Sequence, residues 1–140
     1  MKTPTLDENG LEVLTRTDCL AKLSSHEIGR VSTTLRALPA VFPVHYALDV
    51  DSIVYGTVVG TKFHAATRQS VVAFEVDDFD RTARTGWSVL VVGQTSVIND
   101  PTEIEQVTRL GLEPPWIPAK FDAWIRISIV NLTGRRIPTP

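Results

Sequence analysis

From residue 30 onward the chain repeatedly alternates apolar and polar positions, the period of a strand with one buried face. In RVSTTLRAL, residues 30–38, Val31, Thr33 and Leu35 fall on one face and Ser32, Thr34 and Arg36 on the other. VFPVHYALDV (41–50) and IVYGTVV (53–59) follow, rich in β-branched and aromatic residues, with a turn near Asp49 to Ser52 in which Asp51 and Ser52 mark a hairpin. These three runs predict an antiparallel meander. SVVAFEVDDF (70–79), WSVLVVGQTSVI (87–98) and AWIRISIVNL (123–132) supply three further strands, the first two separated by the charged loop DRTARTG.

Helical spacing is confined to short segments. Cys19, Leu20 and Leu23 share a face in TRTDCLAKLSSH (15–26), where Thr15 and Asp18 form an N-terminal cap signal. TKFHAATR (61–68) reads as a short helix opening after Gly60. Asn99-Asp100-Pro101 is a start signal for TEIEQVTRLGL, because Asp100 can cap and Pro101 suits the first helical position. PPWIP (114–118) reads as a rigid loop, and residues 1–14 and 138–140 as loosely held ends. About six sequential strands with two or three short helices exclude a βαβ architecture and predict a single mainly β domain over 1–140, a small antiparallel barrel with peripheral helices.

Charge and composition narrow the partners. Fourteen basic and sixteen acidic residues give a formal charge of -2, without the basic surplus that drives nucleic-acid binding. One cysteine and three dispersed histidines offer neither a disulfide nor zinc spacing, so no metal is expected. Asp77, Asp78 and Asp80 lack calcium-loop spacing and read as a solvated turn. The longest apolar run, VLVV, is far too short to cross a membrane, and the start is not built like a signal peptide. A cytoplasmic location is the expectation.

Candidate chemistry centres on GTVVGTKFHAATRQS, residues 56–70. The order is wrong for a Walker loop, since Gly56 and Gly60 are followed by Thr61-Lys62 rather than Lys-Ser/Thr. A helix start nonetheless exposes free N–H groups, and Thr61 and Lys62 add side-chain donors suited to a phosphate. The alternative is a turn glycine followed by a solvated lysine.

The ordered series Phe42-Pro43-Val44-His45-Tyr46, Tyr55-Gly56-Thr57, Gly60-Thr61-Lys62 and Arg84-Thr85-Gly86-Trp87-Ser88 resembles the pyridoxamine 5'-phosphate oxidase-like superfamily of flavin-binding split β-barrels, in particular its small actinobacterial-type members. The resemblance runs from about Leu20 to Ile137. It implies a six-stranded antiparallel split β-barrel, a homodimer with a flavin, usually FMN, in a groove at the interface, and redox chemistry on a small molecule. By the same resemblance Thr57, Thr61 and Lys62, after Gly60, would hold the phosphate, and Pro43 and Val44 would line the flavin edge. Trp87 and Ser88 would add a contact, and Arg135 would approach cofactor or substrate.

His45 would either face the substrate or bond at the barrel rim, and Trp116 would either wall the site mouth or pack its loop; His26 and His64 read as incidental. No acid–base constellation is needed where a flavin carries the chemistry, and no catalytic residue is assigned. An F420-dependent reductase and a non-catalytic flavin or small-ligand binder are the alternatives. Family members commonly carry an arginine where Gly56 stands, so the phosphate site has one cation fewer.

Overall fold

A computed structural model describes residues 3–112, 116, 118 and 120–139. The elements in order are β1 (Glu12–Val13), α1 (Arg16–Ser24), β2 (Ile28–Leu35), β3 (Leu38–Asp49), β4 (Ser52–Thr57), α2 (Lys62–Thr67), β5 (Val71–Asp80), β6 (Thr85–Val97), α3 (Pro101–Thr108) and β7 (Ala123–Arg136). All strand pairings are antiparallel, in the order β1-β7-β4-β3-β2-β5-β6. A further ladder joins β6 to β7 with a register shift between Val92 and Gly93, which wraps the sheet around its core.

The predicted meander is β2-β3-β4, and the three later strands are β5, β6 and β7. Seven strands stand where six were expected. The added β1 comes from the lead-in, which is held rather than loose: Glu12 and Val13 pair with Arg136 and Arg135, Leu14 is buried, and Asp7 and Glu12 bind the same two arginines. Pairing energy here is supplied by β7, so two residues suffice and no alternation announces them. β5, read from the sequence as 70–79, spans Val71–Asp80. Asp77, Asp78 and Asp80 belong to it rather than to a turn: Asp77 pairs with Arg30, Asp78 with His26, and Asp80 accepts the Thr82 and Ala83 amides of the following turn.

The caps read from sequence are in place. Thr15 accepts the Asp18 amide at 3.1 Å, and Asp100 accepts the Thr102 amide at 3.0 Å ahead of Pro101. The β2–β3 hairpin turns through Arg36 and Ala37, both at positive φ, a two-residue loop of the kind that matches strand twist.

β4 is buried along its whole length because two cores meet on it. Ile53 and Tyr55 face the barrel interior with Val31, Phe74, Val91, Ile125 and Ile127, while Val54 faces outward into a second cluster with Ile98, Val107, Leu112 and Trp124 beneath α3. Its continuous apolar run is the signature of a strand covered on both faces. Among the described residues no helix is long and apolar enough to cross a membrane.

Candidate functional site

β3 changes partner halfway along. Leu38–His45 pair with β2, whereas Tyr46–Asp49 pair with β4, and the β3–β4 ladder stops at Tyr46–Tyr55. Beyond that rung Pro43, Val44 and His45 are not paired with Gly56 and Thr57, which continue the β4–β7 ladder with Trp124 and Ala123. A proline fits such a half-free strand because it has no N–H to leave unpaired. The opening holds a small, mostly apolar cavity of about 90 Å³ lined by Ile28, Pro43, Val44, His45, Trp116 and Phe121. His45 is buried, its Nδ1 has no partner among the described residues, and its Nε2 lies 4.0 Å from a Glu27 carboxylate oxygen. Trp116, largely exposed, lies 6.4 Å from the imidazole, ring centre to ring centre.

α2 closes the adjoining end. Phe63 lies between Phe42 of β3 and Tyr55 of β4, with ring centres at 5.0 and 5.6 Å, and so bridges the two diverging strands. Gly60, at φ 91°, makes the turn into the helix that a side chain would strain. Thr61 is the N-cap: its hydroxyl accepts the His64 amide at 3.1 Å and donates to the Val58 carbonyl at 2.7 Å. Thr57, 1% exposed, shares a 2.7 Å hydrogen bond with Nδ1 of buried His64. Both threonine hydroxyls are thus committed within the protein, and buried His64 is held by Thr57. Lys62 is exposed at the first helical position.

Gly56 is fixed by packing. A Cβ there would lie within 2.8 Å of the Phe121 Cβ and overlap the Phe121 ring. Phe121 in turn stacks edge-on to Trp124 at 6.0 Å. The outward space in which an arginine at this position would begin is occupied by an aromatic ring.

Of the residues singled out from sequence, Pro43, Val44, His45 and Trp116 line the cavity at this opening, while Thr57 ends β4 and Gly60, Thr61 and Lys62 form the turn and first position of α2. The structure places Trp87, Ser88 and Arg135 at the other end of β6. Val97 lies level with Tyr55 across Ile125, and from Val97 back to Trp87 is roughly 30 Å along a strand. There Trp87 packs edge-on against His26 at 5.1 Å and lies under the Lys22 ammonium at 4.8 Å. His26, also read as incidental, bonds Asp78 at 3.1 Å. Arg135 sits within β7, not beyond it, and is held by Asp7 at 3.0 Å.

What sequence reading missed was the Thr57–His64 pair. Its signal was present: a threonine at the end of a doubly buried strand and a histidine seven residues on, across one tight turn, share the same environment.

An antiparallel barrel whose third and fourth strands splay around a bridging helix defines the split β-barrel class of proteins. Family comparison is specific: residues 15–136 match the pyridoxamine 5'-phosphate oxidase model, and the chain belongs to that family. A relative, the uncharacterized protein Rv0080 of Mycobacterium tuberculosis, is 39% identical over 130 residues, covering 89% of this chain and 84% of its own. A protein of unknown function from Corynebacterium diphtheriae superposes with TM-score 0.76 at 31% identity, covering 91% of this chain and 98% of its own. An FAD binding protein from Mycobacterium smegmatis gives TM-score 0.72 at 27% identity, covering 91% and 99%.

Proposed function

We propose that this chain binds a flavin in the opening between β3 and β4 and acts, as a homodimer, as an oxidoreductase on a small molecule. The observation that carries the reading is the divergence of β3 from β4 beside the start of α2, in a chain of this family. The residues present fit such a cofactor. Val44 and Pro43 offer an apolar strand for a ring edge, and Lys62 offers a cation at the helix start for a phosphate. In this reading Thr57 does not touch the phosphate; it fixes His64, and Thr61 shapes the turn that presents Lys62. FMN is the simplest such cofactor, and when bound it supplies electron or hydride transfer at its N5 atom. His45 and Trp116 border the ring on the substrate side. The FAD-binding neighbour supports a flavin in place of F420, the second reading.

A second copy completes the groove. The outer face of β2, β3, β5 and β6 exposes Val41, Val71 and Leu90 around the Arg30–Glu75–Asp77 ion cluster. On a monomer such a contiguous apolar patch marks an interaction surface. Two-fold packing of this face lets the Trp87–Ser88–Arg135 end of one copy reach the α2 end of the other, which no single chain allows. The test is a flavin titration of the purified chain with sedimentation analysis: one flavin per chain in a dimer is expected, and a colourless monomer that binds no flavin overturns the reading.

A further inference from the structure

The sheet face assigned above to the second copy carries an unbalanced charge near its middle. Pro43 of β3, Arg30 of β2, Glu75 of β5 and Leu90 of β6 stand on one continuous rung across the four strands. The next residue on the same face of β5 is Asp77, opposite Ser88 of β6. Arg30 holds both carboxylates: its Nε lies 3.0 Å from a Glu75 oxygen, and its guanidinium 2.9 Å from an Asp77 oxygen. One cation thus serves two anions, and one negative charge is left over.

The charged neighbours do not correct that balance. Leu90 and Ser88, on the strand flanking β5, are uncharged, and Arg135, across from Ser88 on β7, is held by Asp7. On β3, His45 follows Pro43 by two residues and lies 4.0 Å from a Glu27 oxygen. Asp78, on the opposite face of β5, pairs with His26. In a single chain water screens the surplus, because the side chains of Arg30, Glu75 and Asp77 are 38%, 31% and 33% exposed. Packing two copies over Val41, Val71 and Leu90 strips that water and sets four carboxylates against two guanidiniums. Loss of water and a neighbouring like charge both favour the neutral form of a carboxyl group. Already in one chain, burial and the Asp77 carboxylate raise Glu75 above its ordinary value, against the pull of Arg30.

We propose that the Arg30–Glu75–Asp77 cluster makes dimerisation proton-linked, each copy taking up a proton shared between Glu75 and Asp77 as the two faces meet. The inference rests on the homodimer reading above. A carboxyl group whose pKa is higher in the dimer than in the free chain strengthens the dimer fully below its free-chain value, and that contribution is lost as pH rises through the dimer value. Pro43 lines the flavin opening and is the cross-strand neighbour of Arg30, so the same proton governs whether a second copy completes the groove.

Sedimentation equilibrium of the full chain at fixed ionic strength, between about pH 5.5 and pH 8, decides the matter on wild type, Glu75→Gln and Asp77→Asn. The wild-type dimer dissociation constant is expected to rise at least tenfold across that range. Glu75→Gln replaces the carboxylate by a neutral group of the same shape, and should hold at pH 8 a dimer as tight as wild type forms at pH 5.5. Asp77→Asn should flatten the profile in the same way, and circular dichroism at each pH identifies the folded variants on which the comparison is made. A wild-type dimer whose dissociation constant does not change with pH overturns the proton linkage and leaves the homodimer reading standing. A wild-type slope that persists unchanged in both variants overturns the assignment to this cluster. A monomer at every pH overturns the linkage and the homodimer reading together.

Discussion

Gly56→Ala is a small change with a large expected effect. The added methyl carbon would sit 2.8 Å from the Phe121 Cβ and inside contact distance of its ring. Rotating the ring does not relieve this, because the Cβ itself is too close. Nor is the backbone free to retreat: the Asp122 amide donates to the Thr57 carbonyl at 3.1 Å, and the Asp122 carboxylate holds the Val59 amide at 2.8 Å. Overpacking of this kind costs about 1–3 kcal/mol. At about 3–4 °C per kcal/mol for a domain of this size, the melting temperature should fall by about 3–12 °C. Circular dichroism melts of wild type, Gly56→Ala, Phe121→Ala and the double variant form a cycle. If the contact is the cause, the double variant is less destabilised than the sum of the singles by about 0.5–3 kcal/mol. Strict additivity, or a Gly56→Ala melt equal to wild type, would refute the packing argument. The same logic makes Gly56→Arg a destabilised protein, not one with a restored phosphate cation.

Further outcomes follow from the same geometry. Thr57→Val strips His64 of its buried partner and should cost about 1–3 kcal/mol in urea unfolding; the ring-nitrogen NMR signals of His64 should shift from their wild-type positions. Asp7 is held below its ordinary value chiefly by the Leu11 amide, and Glu12 below its own chiefly by Arg136. A depressed carboxylate pKa stabilises the fold above the unfolded value and loses that contribution as pH falls through the folded one. The hold on β1 is therefore intact at neutral pH and weakens below about pH 4.5. Amide exchange at Val13 as a function of pH reads it, and Asp7→Asn with Glu12→Gln should flatten the profile. Val41→Arg places a charge in the exposed apolar face and should shift sedimentation from dimer toward monomer; an unchanged dimer would move the interface elsewhere.

Much of the barrel was legible because alternation is a local signal. Val31 and Thr33 against Ser32 and Thr34 declare the two faces of β2 with no knowledge of what pairs with it. The caps at Thr15 and Asp100 are equally local. What was not legible depended on distant partners. β1 exists because β7 arrives beside it, and Arg135 is taken by Asp7, residues separated by nearly the whole chain. The β2–β3 turn was hidden for another reason: Arg36 and Ala37 adopt positive φ without the Asn or Gly that advertises it, so tertiary pairing overrides local preference. GTK was legible as the start of a helix, but sequence could not show that the Thr57 and Thr61 hydroxyls are already bonded. Gly56 was legible as a departure from relatives, and only the structure supplies its reason in Phe121.

The most direct test of the flavin site is a titration of the purified chain with FMN and FAD, followed by tryptophan fluorescence, on wild type and Lys62→Ala. Trp116 borders the opening, so binding should quench emission. Loss of a charge-assisted phosphate contact should weaken binding by about 1.5–3 kcal/mol, roughly 10- to 150-fold. Saturable quenching at one flavin per chain, with that loss in Lys62→Ala, is the expected result; no quenching by either flavin, or equal affinity in the variant, would contradict it.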